Sequence, residues 1–544
     1  MEYILSDNNK FMYVDDDCYK LTQKLESRLN KAILSLHKSN KFDKCTYESL
    51  RATGSYPGKL YGLPKVHKTG VPLRPILSAV TCHNYKLAKY LVPLLSPLAV
   101  SEYCISDVFE FARYIQHRQD INRNRMISLD IESLFTNVPV SETIDIIINK
   151  LFSDDCVLYH GFNCEEFRLL LTLAVEDSYF SFNGKLYKQI DGMAMGSPLG
   201  PLFANIFLSH HEHNWLRNSP VKPLLYKRYV DDTLLLIPMN SDIPKLLEYM
   251  NSRHTNIRFT CESEANDSIS FIGILITCIK FANNMYGYQT TVYRKPTNTS
   301  LLMNFNCFTA LSYRLSVIKC LVHRALHLCS TWNLFHNEIS IIRTLMLRNA
   351  YPSLLVDRII KNSLSKFYNP APIKFGPKKE RLYIGLPFLG KPTDAIRRSI
   401  KQICKQFIPN KDAIIYFKPG PRTSNFFRLK DVTPFEMRSH VVYMYTCASC
   451  NASYIGQTTR HIRQRISEHR GVSHLTGKVM KSQVHSSIRD HVLLCRNADC
   501  QQQNFKILAT GCNEYELLIK ERLLINKLSP NLNSNTGSFE LLLT

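Results

Sequence analysis

The sequence contains no uninterrupted apolar run near the roughly 18 to 20 residues that span a bilayer. Its first residues, MEYILSDNNKF, lack the hydrophobic core of a secretion signal. The expectation is a soluble intracellular chain with no membrane partner. No short disulfide frame is present either: 17 cysteines are scattered over the length, which fits reduced thiols. Internal repeats and low-complexity tracts are absent. Acid is in deficit, with 45 Asp and Glu against 68 Lys and Arg, a formal charge of +23. That excess favours a polyanion such as nucleic acid, although basic ribosomal and membrane-surface proteins share it. At 544 residues with 45% hydrophobic content, the chain is long enough for several cores and several domains.

The stretch around which the rest is organised is Tyr229-Val230-Asp231-Asp232, inside LLYKRYVDDTLLLI. Apolar and β-branched runs on both sides predict strand, tight turn, strand, with two carboxylates at the tip. Two neighbouring anions are costly unless a cation lies between them, so a divalent metal is their natural partner. Taken alone, the same four residues also fit an ordinary acidic turn.

Other segments bring further chemistry. YKLTQKLESRLNKAILSLHK has Leu21, Leu25, Leu29 and Ile33 on one face and predicts a packing helix. YGLPKVHKTGVPLRPILS predicts a turn-rich hairpin on which Lys65, His67, Lys68 and Arg74 suit phosphate, or form a solvated basic loop. Met126 to Leu129 predicts a buried strand that delivers Asp130 at its end, with Phe135 shortly after. SFNGKL suggests a hairpin at Asn183-Gly184, and a helix is expected from about Pro198. Between them Gly192, Ala194, Gly196, Ser197 and Gly200 leave backbone open to close ligand approach. The Gly-x-x-x-x-Gly spacing lacks a following Lys-Ser or Lys-Thr, which argues against a Walker-type loop. IRFTCESEANDSISFIGILITCIK reads as paired strands, and residues 310–368 as basic helices. Residues 369–392, rich in proline and charge, read as a boundary.

Taken in order, YGLPKVHK, PLRPILS, SLDIESLFTNVP, GMAMGSPLGPLFANIFL, RYVDD and VYRKPT resemble a reverse transcriptase palm. Their wording is most similar to Penelope-like retroelements. The resemblance covers most of residues 55–533 and implies an α+β right-hand polymerase (fingers, palm, helical thumb) followed by a small α/β GIY-YIG nuclease domain. The expected division is an N-terminal helical region at 1–54, fingers and palm at 55–300 and a thumb at 301–368. A linker with a basic helix follows at 369–435, then the nuclease at 436–535.

By that resemblance Asp130, Asp231 and Asp232 hold two magnesium ions, and Phe135 excludes a ribose 2′-hydroxyl. Lys65, Arg74 and Lys295 contact triphosphate, template or primer, and Gly192 and Gly196 belong to the loop lining the base-pair pocket. The nuclease motifs are Val441-Val442-Tyr443, whose usual initial glycine is missing, and an intact Tyr454-Ile455-Gly456. Arg465 and His469 share a helical face, and Glu521 is the ligand of one further magnesium. Family members carry a Cys-Cys-His-His zinc site; here Cys447, Cys450 and His491 match three ligands, and Cys495, Cys500 or His485 is left for the fourth.

The implied function is RNA-directed DNA polymerase with DNA-nicking endonuclease, acting in retrotransposition by target-primed reverse transcription. Its partners are template RNA, target and product DNA and deoxynucleoside triphosphates. A chromosomal target implies nuclear residence after cytoplasmic synthesis. A telomerase-like or domesticated polymerase, or a non-catalytic nucleic-acid-binding relic, is the alternative.

Overall fold

The computed structural model describes residues 1–66, 70–152, 157–370, 379–418, 426–427, 430–480, 486–496 and 498–533. His67, Lys68 and His485, named above, lie outside these residues. Among the described residues no helix is long and apolar enough to cross a membrane.

A four-stranded antiparallel sheet carries the YVDD turn, in the order Phe259–Ser263, Asn124–Ile131, Asp232–Pro238, Leu225–Tyr229. Alternation along each strand sorts its side chains between two cores. Ile127, Leu129, Ile131, Leu235 and Ile237 pack with Ile144, Ile147, Phe203 and Phe207 of the helices Val140–Leu151 and Gly200–Arg217. Met126, Leu234 and Leu236 face the other way, into a core shared with Phe111, Ile115, Phe271 and Ile274. Burial on both faces explains the unbroken apolar run after YVDD, each such side chain contributing about 1.5–3 kcal/mol.

The stretch expected as one set of paired strands divides between two sheets. Phe259–Ser263 pairs with the Asp130 strand, whereas Ser268–Phe271 and Ile274–Lys280 pair with each other and then with Tyr286–Val292. Asn266 and Asp267, both at positive φ, turn the chain between them.

A five-stranded sheet has the order Phe11–Val14, Lys185–Gln189, Tyr179–Phe182, Gly58–Pro64, Leu73–Ser78. Asn183 and Gly184, at φ 52° and 75°, close the expected hairpin. The N-terminal region, expected as helical, also contributes Phe11–Val14 as an edge strand. Four residues are too short to show a period. The helix Cys18–Lys38 follows, capped by Asp17, with Leu29 and Ile33 fully buried.

Leu311–Leu328, Trp332–Arg348 and Ser353–Tyr368 are three helices packed around Ile318, Val322, Ile342 and Met346. The region expected as a linker is folded: Glu380–Pro387 and Lys411–Lys418 pair in parallel, joined by the basic helix Lys391–Phe407. Neither short apolar run reads as a strand by itself, because each partner lies across a helix. The last unit is a three-stranded sheet, Ser453–Thr458, Val441–Thr446, Phe505–Thr510, with helices Ile462–His469, Ser487–Leu494 and Glu514–Leu528.

This last unit sits against the N-terminal part of the chain. Tyr19 Oη lies 2.7 Å from His474 Nδ1, and Ser439 Oγ donates to Gly54 O at 2.7 Å. His461, fully buried at the start of Ile462–His469, donates from Nε2 to Ser55 O (2.6 Å), and its Nδ1 accepts from the Gln23 amide (3.0 Å). Gly54, at φ 63°, permits the approach, since a Cβ there would lie 2.6 Å from Thr459 O.

Candidate functional site

Asp130 stands directly opposite Asp232 across two antiparallel strands, with Tyr229 and Thr260 level with them on the outer strands. All four share one sheet face, because opposed residues in a ladder point the same way. It is the face that buries Met126, Leu234 and Leu236 further down; at this end both aspartates are half-buried. Val230 turns the chain at φ 59°, and Asp231 O accepts from Ile131 N at 3.3 Å, which keeps the tip against the Asp130 strand. Burial, then the charges of Asp231 and Asp130, push the Asp232 carboxyl up to about 6. Lys295 opposes that shift, so the expected lysine does lie by the carboxylates, and Glu262 adds to it. Glu262 carries no motif and was not foreseen; its place opposite Ser128, two residues from Asp130, comes from strand register.

Arg228, fully buried one residue before Tyr229, holds the turn from beneath. Its Nη1 donates to Val230 O (3.0 Å) and Asn205 Oδ1 (2.8 Å), and its Nη2 donates to Glu212 Oε2 (3.1 Å). A further bond joins Nε to Glu212 Oε1, which also accepts from Tyr226 Oη at 2.9 Å. Sequence gave no sign of this pair, because a buried charge looks like any other basic residue until its partner is placed.

The glycine loop behaves differently from expectation. Gly192 is at φ 80°, where a Cβ would lie 2.5 Å from Thr136 O, and a Cβ on Gly196, at φ 138°, would overlap Leu77 O. On the side a Cβ would take, the room these glycines make is filled by the chain's own backbone, with Gly192 buried and Gly196 still exposed. They seat the loop between two elements: Met193 N donates to Phe135 O (2.6 Å) and Leu77 N to Met195 O (3.0 Å). Phe135, half-buried, has its ring against Gly200 at the start of the following helix. Lys65 and Arg74 stand at the turn end of the hairpin formed by Gly58–Pro64 and Leu73–Ser78, Arg74 exposed.

A second cluster occupies the last unit. Tyr443 Oη lies 2.8 Å from His469 Nε2 and accepts from Arg465 Nε at 3.1 Å. His469 Nδ1 lies 2.7 Å from Ser486 Oγ. Gly456 leaves room for both tyrosines, since a Cβ there would be 2.6 Å from Tyr443 Oη and 2.7 Å from Tyr454 Cε1. Burial raises the Tyr454 hydroxyl, with Arg465 opposing. Burial also pushes Glu521 up to about 7 against the Gln457 N–H and Arg465. Five expected residues therefore converge. Val441, in the place of the motif glycine, is fully buried in this unit's core.

A third cluster joins Cys447, Cys450, His491 and Cys495, whose ligand atoms all lie within 4.8 Å of one another. Cys450 Sγ is 3.4 Å from His491 Nε2. Burial opposes ionisation of Cys447, but His491 and the Cys450 and Ser449 N–H groups outweigh it and bring the thiol to about 6. Of the fourth-ligand candidates Cys495 is the one present, while Cys500 is buried in the core of the unit.

Residues 66–264 match the family model for reverse transcriptase (RNA-dependent DNA polymerase). That span holds all three aspartates and the glycine loop, so the chain carries a reverse transcriptase domain. Residues 301–361 match the animal helix-turn-helix domain, over the helices expected as a thumb. No curated protein matches the chain. Among solved structures it is similar to apo telomerase from Candida tropicalis truncated from its C-terminal domain, at 15% identity over 41% of this chain and 53% of that one, TM-score 0.30. It is similar also to telomerase from Candida albicans in complex with a TWJ fragment of telomeric RNA, at 12% identity over 66% and 72%, TM-score 0.35. A third is the Sicinivirus 3Dpol RNA-dependent RNA polymerase, at 11% identity over 65% and 74%, TM-score 0.39. The chain spans about half the length of the first of these. Likeness at these scores carries no functional weight.

Two expectations follow. Removing one partner of a buried ion pair strands the other, so Glu212→Ala should cost about 3–5 kcal/mol in urea unfolding. Arg228→Met with Glu212→Leu should recover much of that loss. His469 is held down to about 3 by burial and then by Arg465, against an ordinary 6.5. Between these values the unfolded chain binds the proton that the fold refuses, so stability is present above about 6.5 and lost on acidification. The C-terminal fragment in urea pulse proteolysis should weaken by up to about 1.4 kcal/mol per pH unit below that point, and His469→Gln should remove this share.

Proposed function

We propose that the chain is an RNA-directed DNA polymerase joined to a DNA-nicking endonuclease, acting in Penelope-like retrotransposition by target-primed reverse transcription. The observation that carries this reading is the meeting of Asp130, Asp231 and Asp232 at one end of the central sheet, inside the reverse transcriptase span. Three carboxylates, two of which raise the proton affinity of Asp232, form a donor set suited to hard divalent cations, and they would hold two magnesium ions. Magnesium, when bound, lowers the pKa of a primer 3′-hydroxyl and neutralises charge on the triphosphate and the departing pyrophosphate. The aspartates orient primer and triphosphate for in-line attack. The 3′-oxygen bonds to the α-phosphorus and the bond to the β-phosphate oxygen breaks.

Phe135 would face the sugar and disfavour a 2′-hydroxyl, and Lys295 would meet primer or triphosphate phosphates beside Asp232. Lys65 and Arg74 would contact triphosphate or template from the fingers. The partners are template RNA, target and product DNA and deoxynucleoside triphosphates.

For the last unit, Arg465 would stabilise charge on a cleaved phosphate, with Tyr443 and Tyr454 holding the water side of the site, His469 bonded to Tyr443, and Glu521 the ligand of one magnesium. A nick exposes the 3′-hydroxyl that the polymerase extends. Cys447, Cys450, His491 and Cys495 offer four soft donors in tetrahedral number and would hold structural zinc. Action on chromosomal DNA places the protein in the nucleus after cytoplasmic synthesis.

Primer extension on an RNA template with magnesium should proceed with the native chain and fall more than about a hundredfold in Asp231→Ala. Equal rates, or none from folded native protein, would refute the polymerase. Supercoiled DNA should be nicked by the native chain and by Asp231→Ala, but by neither Arg465→Ala nor Glu521→Ala. Retention of full function in Glu521→Ala would favour a domesticated polymerase.

A further inference from the structure

The folded segment between the three-helix bundle and the last unit has no part in either proposed reaction, yet its surface has a definite chemistry. Because Glu380–Pro387 and Lys411–Lys418 pair in parallel and in register, Arg381, Tyr383 and Gly385 share a face with Asp412, Ile414, Tyr416 and Lys418. The opposite face carries Ala413 and Phe417, both buried, and the helix lies there with Cys404 buried against it. Phe417 N also donates to Tyr313 Oη at 2.8 Å, anchoring that face to the bundle.

The outer face is open. Tyr383 is 60% exposed and Tyr416 44% exposed. Gly385 sets the attitude of the second ring: a Cβ there would lie 2.7 Å from Tyr416 Cζ and Oη and 2.9 Å from Lys418 Cε. The ring therefore lies across the bare glycine with its other side toward solvent. At the start of the strands a cavity of about 840 Å³ opens between the sheet and the helix, lined by Lys401, Lys405 and Ala413 on the helix side and reaching the tyrosine face at Arg381 and the one acid, Asp412. Lys411 is paired with Glu380 at 2.9 Å. Among the described residues no carboxylate lies within ion-pair distance of Arg381, Lys401 or Lys405.

Two open aromatic rings on a sheet, bordered by an excess of cations over carboxylates, match an unpaired nucleic acid strand. Its bases present π-faces for stacking, and its phosphates run alongside. A duplex offers phosphates but keeps its base faces stacked. We propose that residues 379–418 are a separate binding site for single-stranded nucleic acid, with Tyr383 and Tyr416 stacking bases and Arg381, Lys401 and Lys405 holding phosphates.

The test is photocrosslinking of the full chain to uridine-rich RNA and DNA oligonucleotides carrying 5-iodouracil, with adducts mapped by mass spectrometry. Adducts are expected on Tyr383 or Tyr416, retained in Tyr→Phe variants and resistant to duplex competitor; the stronger of the two oligonucleotide arms identifies the strand as RNA or DNA. Both rings are exposed, so Tyr383→Ala and Tyr416→Ala should fold, and each should weaken binding about tenfold, the scale of one stacked base. Lys401→Ala with Lys405→Ala should flatten the salt dependence by about 0.7 per lysine in log–log slope. Absence of adducts on both tyrosines overturns the proposal. So does a dimer that dissociates on the tyrosine substitutions while oligonucleotide affinity holds.

Discussion

The structure depends on one costly juxtaposition: Asp130 and Asp232 face each other across adjacent strands, with Asp231 at the tip beside them. Like charges at that spacing push the strands apart, and partial burial removes the water that would screen them. What holds them is the sheet below. Both faces are packed by separate cores, so the register of the Asp130 strand cannot slip by one residue without turning Met126 and Ile127 to the wrong sides. Arg228 and Glu212 add a buried strut that grips the carbonyl of Val230 from behind the turn. The repulsion is thereby kept in the fold, and the Asp232 carboxyl holds its proton more tightly because of it.

The second cluster depends on the N-terminal part of the chain as well as on its own fold. His461 begins the helix that carries Arg465 and His469, and both ring nitrogens are used by the N-terminal part of the chain, at Gln23 and Ser55. Burial keeps that imidazole neutral, which suits one donor and one acceptor bond. The helix bearing the arginine is thus positioned by its own unit and by the N-terminal part of the chain at once.

Much of this was legible from residue order. The strand–turn–strand at YVDD, the strand ending at Asp130, the Asn183-Gly184 hairpin and the helix over 19–38 all follow from local period and turn chemistry, which need no distant partner. Cys447, Cys450, His491 and Cys495 could be named as a set, although only the fold separates Cys495 from Cys500. The readings that failed were those in which a partner far along the chain decides the outcome. Phe11–Val14 became a strand because Lys185–Gln189 was there to pair, and the supposed linker folded because its two strands met across a helix. The loop glycines also make room for the backbone of Thr136 and Leu77, a use that residue order does not show.

The sequence by itself determined which groups would be available: three carboxylates, two tyrosines with an arginine, and four sulfur and imidazole donors, each within an element that its own residues specify. Only the tertiary structure decided which of them meet. Register placed Glu262 near Asp232, tertiary packing brought Lys295 there, burial raised the proton affinity of Asp232 and Glu521, and packing set His461 between the N-terminal part of the chain and the arginine-bearing helix of the last unit. These are properties of distance and solvent exclusion, and neither is carried by order along a chain.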